Sequence, residues 1–243
     1  MMALTPDQRD RIRKTFAAYL LARSRNLQRL TLAHLKFNVL HLRTIATMLD
    51  LKTPEDLLRY RLAQHLERGA VTAMGTALQA VAREIAGEGS GVAGADIEVR
   101  RGERRYFVQV KSGPDTANKD IAQNIATLLN SARARDPEAS CVLGVCYARP
   151  EQISGIAKKE LVSRGVALKV GREFWEFISG DPNCMAEVLE LAGAAADEPV
   201  AGGETFAERV ERKAQELAAD FEARYGRDLD DAQTWARFLA DNS

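Results

Sequence analysis

The sequence predicts an α/β fold: a mixed sheet of four to five strands flanked by helices, with helical N- and C-terminal additions. Three observations lead there. Residues 140–147 (SCVLGVCY) are an unbroken apolar run of strand length, as in a strand buried on both faces. Residues 96–101 and 104–111 are two alternating stretches around Gly102, which reads as a hairpin. Helical periodicity fills both ends of the chain and the gaps between strands, an order that suits helices packed on a sheet.

The elements follow in order. Thr5-Pro6 supplies an N-cap and a first helical residue, and Ile12, Phe16, Tyr19 and Leu20 give helical spacing over 5–21. Residues 27–49 continue as one or two amphipathic helices. Thr53-Pro54-Glu55-Asp56 opens another, running to about Leu66. A separate helix over 74–86 has Leu78, Val81, Ala82 and Ile85 as its apolar face, and a glycine-rich loop follows over 87–94. After the hairpin, a helix over 120–135 turns Ile121, Ile125 and Leu128 or Leu129 inward. Strands are expected at 140–147 and 166–170, with helices at 153–164, 172–178 and 184–191. The small, acidic, glycine-containing stretch 192–203 reads as a linker. A charged amphipathic helix over 206–225 and a short one over 232–239 close the chain. The domain reading is an N-terminal helical region 1–66, a core 67–191, the linker 192–203 and a C-terminal helical segment 204–243.

A hydrophobic fraction of 46% suits a globular chain and argues against wholesale disorder. No apolar run reaches the ~18 residues that span a bilayer, and the N-terminus lacks the apolar core of a signal peptide. Cys141, Cys146 and Cys184 are odd in number, and the first two lie in the apolar strand, so buried thiols in a cytoplasmic protein are expected. The formal net charge is zero but unevenly spread. Arg9, Arg11, Arg13, Lys14, Arg23, Arg25, Arg29, Lys36 and Arg43 crowd the first segment, and the last forty residues lean acidic. Such segregation allows a local phosphate-binding surface on a neutral protein, and equally a solvated helix face.

The chemistry-bearing residues are Asp96, Gln109 and Lys111. Strand alternation puts Gln109 and Lys111 on one face and Val108 and Val110 on the other. The hairpin can bring Asp96 beside that pair, so an acid, an amide oxygen and an amine converge, a set able to hold a divalent metal and a phosphate. Asp96 after Gly94-Ala95 also fits a turn cap, and polar residues on a strand face also fit solvent exposure. Asn118 and Lys119, where the next helix starts, offer a phosphate contact or a plain helix cap. His34, His41 and His65 have no zinc-like spacing, and there is no phosphate-binding GxxxxGK[ST] loop.

Asp96 followed by Gln109-Val110-Lys111 resembles the PD-(D/E)xK nuclease superfamily. Residues 68–87 resemble the helix before the site in type II restriction endonucleases, and 111–120 the loop after it. Residues 170–183 resemble a segment of a subgroup, the PmeII type. The resemblance implies a restriction-endonuclease-like core and Mg²⁺-dependent cleavage of both strands of double-stranded DNA at a short specific sequence. It implies Asp96, Gln109 and the Val110 carbonyl as metal ligands, Lys111 at the water or scissile phosphate, and Gln79 as an auxiliary residue. Glu98, two residues after Asp96, could share its face and is the physical alternative for added charge, and Glu84 lies on the preceding helix. Gln109 departs from the usual acid, and Gln79 is neutral where the family often has an acid, which leaves the second negative charge unassigned. A homodimer and a cognate DNA methyltransferase are the implied partners. A repair or structure-specific nuclease of the same fold and a cleavage-deficient DNA-binding protein are the alternatives.

Overall fold

The structure, a computed structural model, describes residues 4–87, 91–114, 119–200 and 202–242. It divides into two compact units. One comprises Met1–Ala17 and Thr72–Ala195, the other Ala18–Val71 and Ala196–Ser243. The region 18–66 and the C-terminal segment, set apart in the sequence reading, therefore fall in the same unit.

The elements in chain order are α1 (Pro6–Gln28), a 3-10 turn (Leu32–Leu35), α2 (Val39–Met48), α3 (Pro54–Ala86), β1 (Ile97–Arg101) and β2 (Arg104–Lys111). Then come α4 (Lys119–Arg133), β3 (Ser140–Val145), α5 (Gly155–Ser163), β4 (Val166–Val170), α6 (Arg172–Ser179), α7 (Cys184–Asp197), α8 (Phe206–Tyr225) and α9 (Ala232–Ala240). The helix starts expected at Thr5 and Thr53 are capped by those side chains. The Gln8 N–H donates to Thr5 Oγ1 (3.1 Å) while Thr5 N–H donates to Gln8 Oε1 (3.0 Å). Thr205 and Glu208 do the same at α8.

Two expectations need correction. One continuous α3 replaces the two helices expected over 53–66 and 74–86. Gly69 costs a helix only ~1 kcal/mol relative to alanine, too little to break a segment of good helix formers. α7 runs on through Ala192–Asp197, the first half of the expected linker, because an alanine-rich stretch is a strong helix former.

In the first unit the four strands lie in the order β1-β2-β3-β4. β1 and β2 are antiparallel, with Arg101 opposite Arg104, so the turn is the two residues Gly102 and Glu103. Gly102 has φ +61°, which a two-residue hairpin requires and glycine adopts without strain. β2–β3 and β3–β4 are parallel, joined through α4 and α5. One sheet face offers Phe107, Cys141, Leu143 and Val145, packed with Ile125, Ala126 and Leu129 of α4 and Ala157 and Leu161 of α5. The small Ala122, Ala126 and Ala132 let α4 lie close to the sheet. Gly144 of β3 meets the buried ring of Phe174 on α6, and the neighbouring Trp175 donates Nε1–H to the Cys146 carbonyl at 2.8 Å.

The three cysteines are free and buried, as the sequence suggested for Cys141 and Cys146. Burial pushes the Cys146 thiol up to about 12 and the Cys184 thiol up to about 11.

The second unit is helical. Its core joins Leu35, Leu42, Leu57, Leu58 and Leu62 to Leu217 and Phe221 of α8 and Phe238 of α9. Phe221 and Phe238 meet edge to face with ring centroids 5.0 Å apart. Lys213 is buried, with Nζ donating to the Gln28 carbonyl (3.2 Å) and pairing with Glu216 (2.6 Å). Arg59 on α3 pairs with Glu211 on α8 at 2.6 Å.

A Cβ at position 144 would overlap the Phe174 ring. Gly144→Ala is therefore expected to cost about 1–3 kcal/mol of stability, as overpacked cores do. Urea unfolding measures it, and an unchanged midpoint would mean that α6 does not press on β3 at this point.

Candidate active site

β2 outruns its antiparallel neighbour. β1 begins at Ile97, paired with Val108, and the Asp96 N–H donates to the Val108 carbonyl at 2.8 Å. The N–H and C=O of Val110, two residues on, point the same way, where no β1 backbone remains. Val110 is fully buried, so both groups need partners. Two side chains supply them. Asp96 Oδ2 accepts from the Val110 N–H at 2.8 Å, and Gln79 Nε2 on α3 donates to the Val110 carbonyl at 3.0 Å. One turn further along α3, Arg83 Nε donates to the Asp96 carbonyl at 3.2 Å.

This arrangement brings the residues singled out in the sequence around one peptide unit. Gln109 and Lys111 flank Val110 in β2 and share the face opposite its side chain, the face that carries Phe107. Gln109 is buried, and its Nε2 donates to the Gly94 carbonyl at 3.2 Å, leaving the amide oxygen as an acceptor. Lys111 ends the strand half-exposed, and its carbonyl accepts from Cys146 N–H at 2.8 Å. Its ammonium has no carboxylate partner among the described residues. Lys119 is exposed at the start of α4, and Asn118 lies outside the described residues.

Neither nearby acid joins the group. Glu98 sits opposite Phe107, but Arg105 takes its carboxylate at 2.7 Å, and Arg105 also pairs with Asp136 at 2.7 Å. Glu84 is paired with Arg11 at 2.6 Å. Among the described residues, no three His, Cys, Asp or Glu side chains converge as a metal cluster. The donors at hand are the second oxygen of Asp96, the Gln109 amide oxygen and the Val110 carbonyl. All are hard oxygens, the type that Mg²⁺ and Ca²⁺ accept, with one negative charge between them. Such a set fits a cation that keeps several waters and takes further charge from a phosphate.

Sequence reasoning missed what holds the site. The hydrogen bond from Gln79 to a backbone carbonyl and the one from Arg83 depend on α3 crossing the strand end, and no local pattern announces that.

Two comparisons with known proteins bear on this geometry. Residues 9–199 match the family model of the type II restriction endonuclease EcoO109I, a span that covers the sheet, α3 and the site. The PmeII-type subgroup suggested by residues 170–183 is not what that match identifies. No curated protein matches the chain. Enzymes of the matched family generally use a divalent metal.

Gln79→Leu removes the only side-chain donor to the Val110 carbonyl among the described residues. Leaving that buried acceptor unpaired is expected to cost about 1–3 kcal/mol. Chemical denaturation of this variant beside the wild type reads the loss; wild-type stability in Gln79→Leu would contradict the bond.

Proposed function

The chain belongs to the EcoO109I family of type II restriction endonucleases, and is thus a site-specific deoxyribonuclease; from that premise we propose that it cleaves both strands of duplex DNA at a short sequence with Mg²⁺, through Asp96, Gln109 and Lys111. The observation that carries this assignment is the Asp96 carboxylate pinned by the Val110 N–H one residue from Lys111.

Phosphodiester hydrolysis needs an attacking water, in-line geometry and neutralisation of charge on the phosphorus oxygens and the leaving group. A bound Mg²⁺ supplies Lewis acidity and charge. Asp96, Gln109 and the Val110 carbonyl are the groups that would hold it. Asp96 uses one oxygen on the backbone and keeps the other for this task, so its orientation is set before any ligand arrives. Gln79 positions the Val110 carbonyl rather than touching substrate. Lys111, a point charge with no carboxylate partner among the described residues, suits the scissile phosphate or the attacking water. Lys119, and Asn118 before it, suit a backbone phosphate beside the start of α4. Glu98 remains the physical alternative for extra charge, at the cost of its ion pair with Arg105.

One centre per chain and two strands to cut favour a homodimer, and a two-fold protein suits a palindromic target. A cleaving enzyme of this kind needs a cognate methyltransferase to protect host DNA, and a cytoplasmic location follows from where that DNA is. Among the described residues no helix is long and apolar enough to cross a membrane. The neutral Gln79 and Gln109 favour one rival reading, a DNA-binding protein that has lost cleavage.

Unmethylated phage DNA incubated with the protein and Mg²⁺ is expected to give discrete fragments with one shared end sequence. Asp96→Asn keeps an acceptor for the Val110 N–H and should fold, yet lose cleavage by about 10²–10³-fold or more, as should Lys111→Ala. Intact DNA that is still shifted in a gel would support the rival. A smear dependent on Lys111 would move the function to a repair or structure-specific nuclease.

A further inference from the structure

The second unit holds a cavity of about 140 Å³ whose charged lining is entirely cationic. Lys36, Arg61 and Arg68 line it, with His41 beside them, and no carboxylate does. Among the described residues no carboxylate pairs with these cations. Arg61 spends its N–H groups on neutral acceptors: the Leu35 carbonyl at 2.6 Å, the Lys36 carbonyl at 3.1 Å and Gln64 Oε1 at 3.2 Å. Lys36 and Arg68 have no carboxylate partner among the described residues. The basic residues early in α1 differ: Arg9 pairs with Glu187, Arg11 with Asp7 and Glu84, and Lys14 with Asp10.

Two further observations point to an anion. Lys36 has a backbone φ of +45°, a left-handed conformation that costs a lysine ~1–2 kcal/mol and would cost a glycine nothing. Lys36 is the C-cap of the 3-10 turn, so a long cation stands at a position where the backbone favours glycine. The field of the cluster also reaches its neighbours. Burial, then Arg61, Arg23, His34 and Arg68, holds the His65 imidazole below its usual range, and burial followed by Arg68 does the same to Arg61. Asn38 already accepts from the His41 N–H, so the site stands on side-chain cations rather than on the end of α2. Tyr60 Oη accepts from Gln64 Nε2 at 2.6 Å and keeps its own proton to donate.

We propose that this pocket takes one phosphate of the DNA backbone, through Lys36, Arg68 and His41 with Arg61 behind them, as an anchor made by residues other than those of the sheet site. The cavity has room for one tetrahedral oxyanion, and its exposed cations are open to a polymer. A phosphate contact of this kind adds affinity without reading sequence. The assignment rests on the reading of the chain as a DNA nuclease.

The test is Lys36→Ala with Arg68→Ala in the full chain, leaving Arg61 to brace the Leu35–Lys36 turn. Binding of duplex DNA in EDTA is followed by fluorescence anisotropy across a salt series. The double variant is expected to bind about tenfold more weakly, equally on all duplex sequences, with a log–log salt slope shallower by about one. Lys36→Arg with Arg68→Lys should restore both, which separates lost charge from lost fold. A wild-type slope in the folded double variant overturns the proposal. So does loss of inorganic phosphate binding with an unchanged DNA slope, which would make this a site for free phosphate. A wild-type protein that binds no DNA at any salt instead overturns the nuclease reading on which the anchor rests.

Discussion

A single buried peptide organises the candidate centre. Val110 lies where β2 has outrun β1, and its N–H and C=O face a side with no strand left to pair them. Leaving both unmade would cost several kcal/mol in a buried setting. Asp96 and Gln79 meet that demand, and in doing so they tie the start of the hairpin and helix α3 to one strand end. The carboxylate is therefore aimed by a structural need that exists with or without a ligand. Gln109 and Lys111 inherit their positions from the same strand, one on each side of the peptide.

Charge is organised more finely than a net value of zero suggests. In the sheet unit the acids close to Asp96 are already engaged, Glu98 with Arg105 and Glu84 with Arg11. Among the described residues that leaves Asp96 as the one carboxylate of the candidate centre. In the helical unit Glu211 and Glu216 pair with Arg59 and Lys213, while the lining around Lys36 and Arg68 keeps its positive charge.

Much of the fold was legible in the sequence because its signals are local. The hairpin turn at Gly102, the apolar run of β3, and the Thr5-Pro6 start of α1 each carry their own marker. Asp96, Gln109 and Lys111 were legible as a spacing, and the structure places them around Val110. The continuity of α3 was not, since the apolar periodicity reads as stopping near Leu66 and resuming at Met74, while the helix runs through Gly69 and Gly75 at a cost of only ~1 kcal/mol each. The partners of Glu98, Glu84 and Gln79 were not either. Arg105, Arg11 and the Val110 carbonyl meet them only through tertiary packing. The cationic pocket joins Lys36 to Arg61 and Arg68, residues separated by a helix and two turns, so no window of sequence holds it.

The buried thiols have a practical consequence. Cys141, Cys146 and Cys184 are shut inside the protein, two of them with proton affinities so high that almost no thiolate exists near neutral pH. The native surface is chemically silent toward maleimides. One cysteine placed at an exposed site would then be the only handle for a dye, and the unmodified chain would serve as its own blank in single-molecule work.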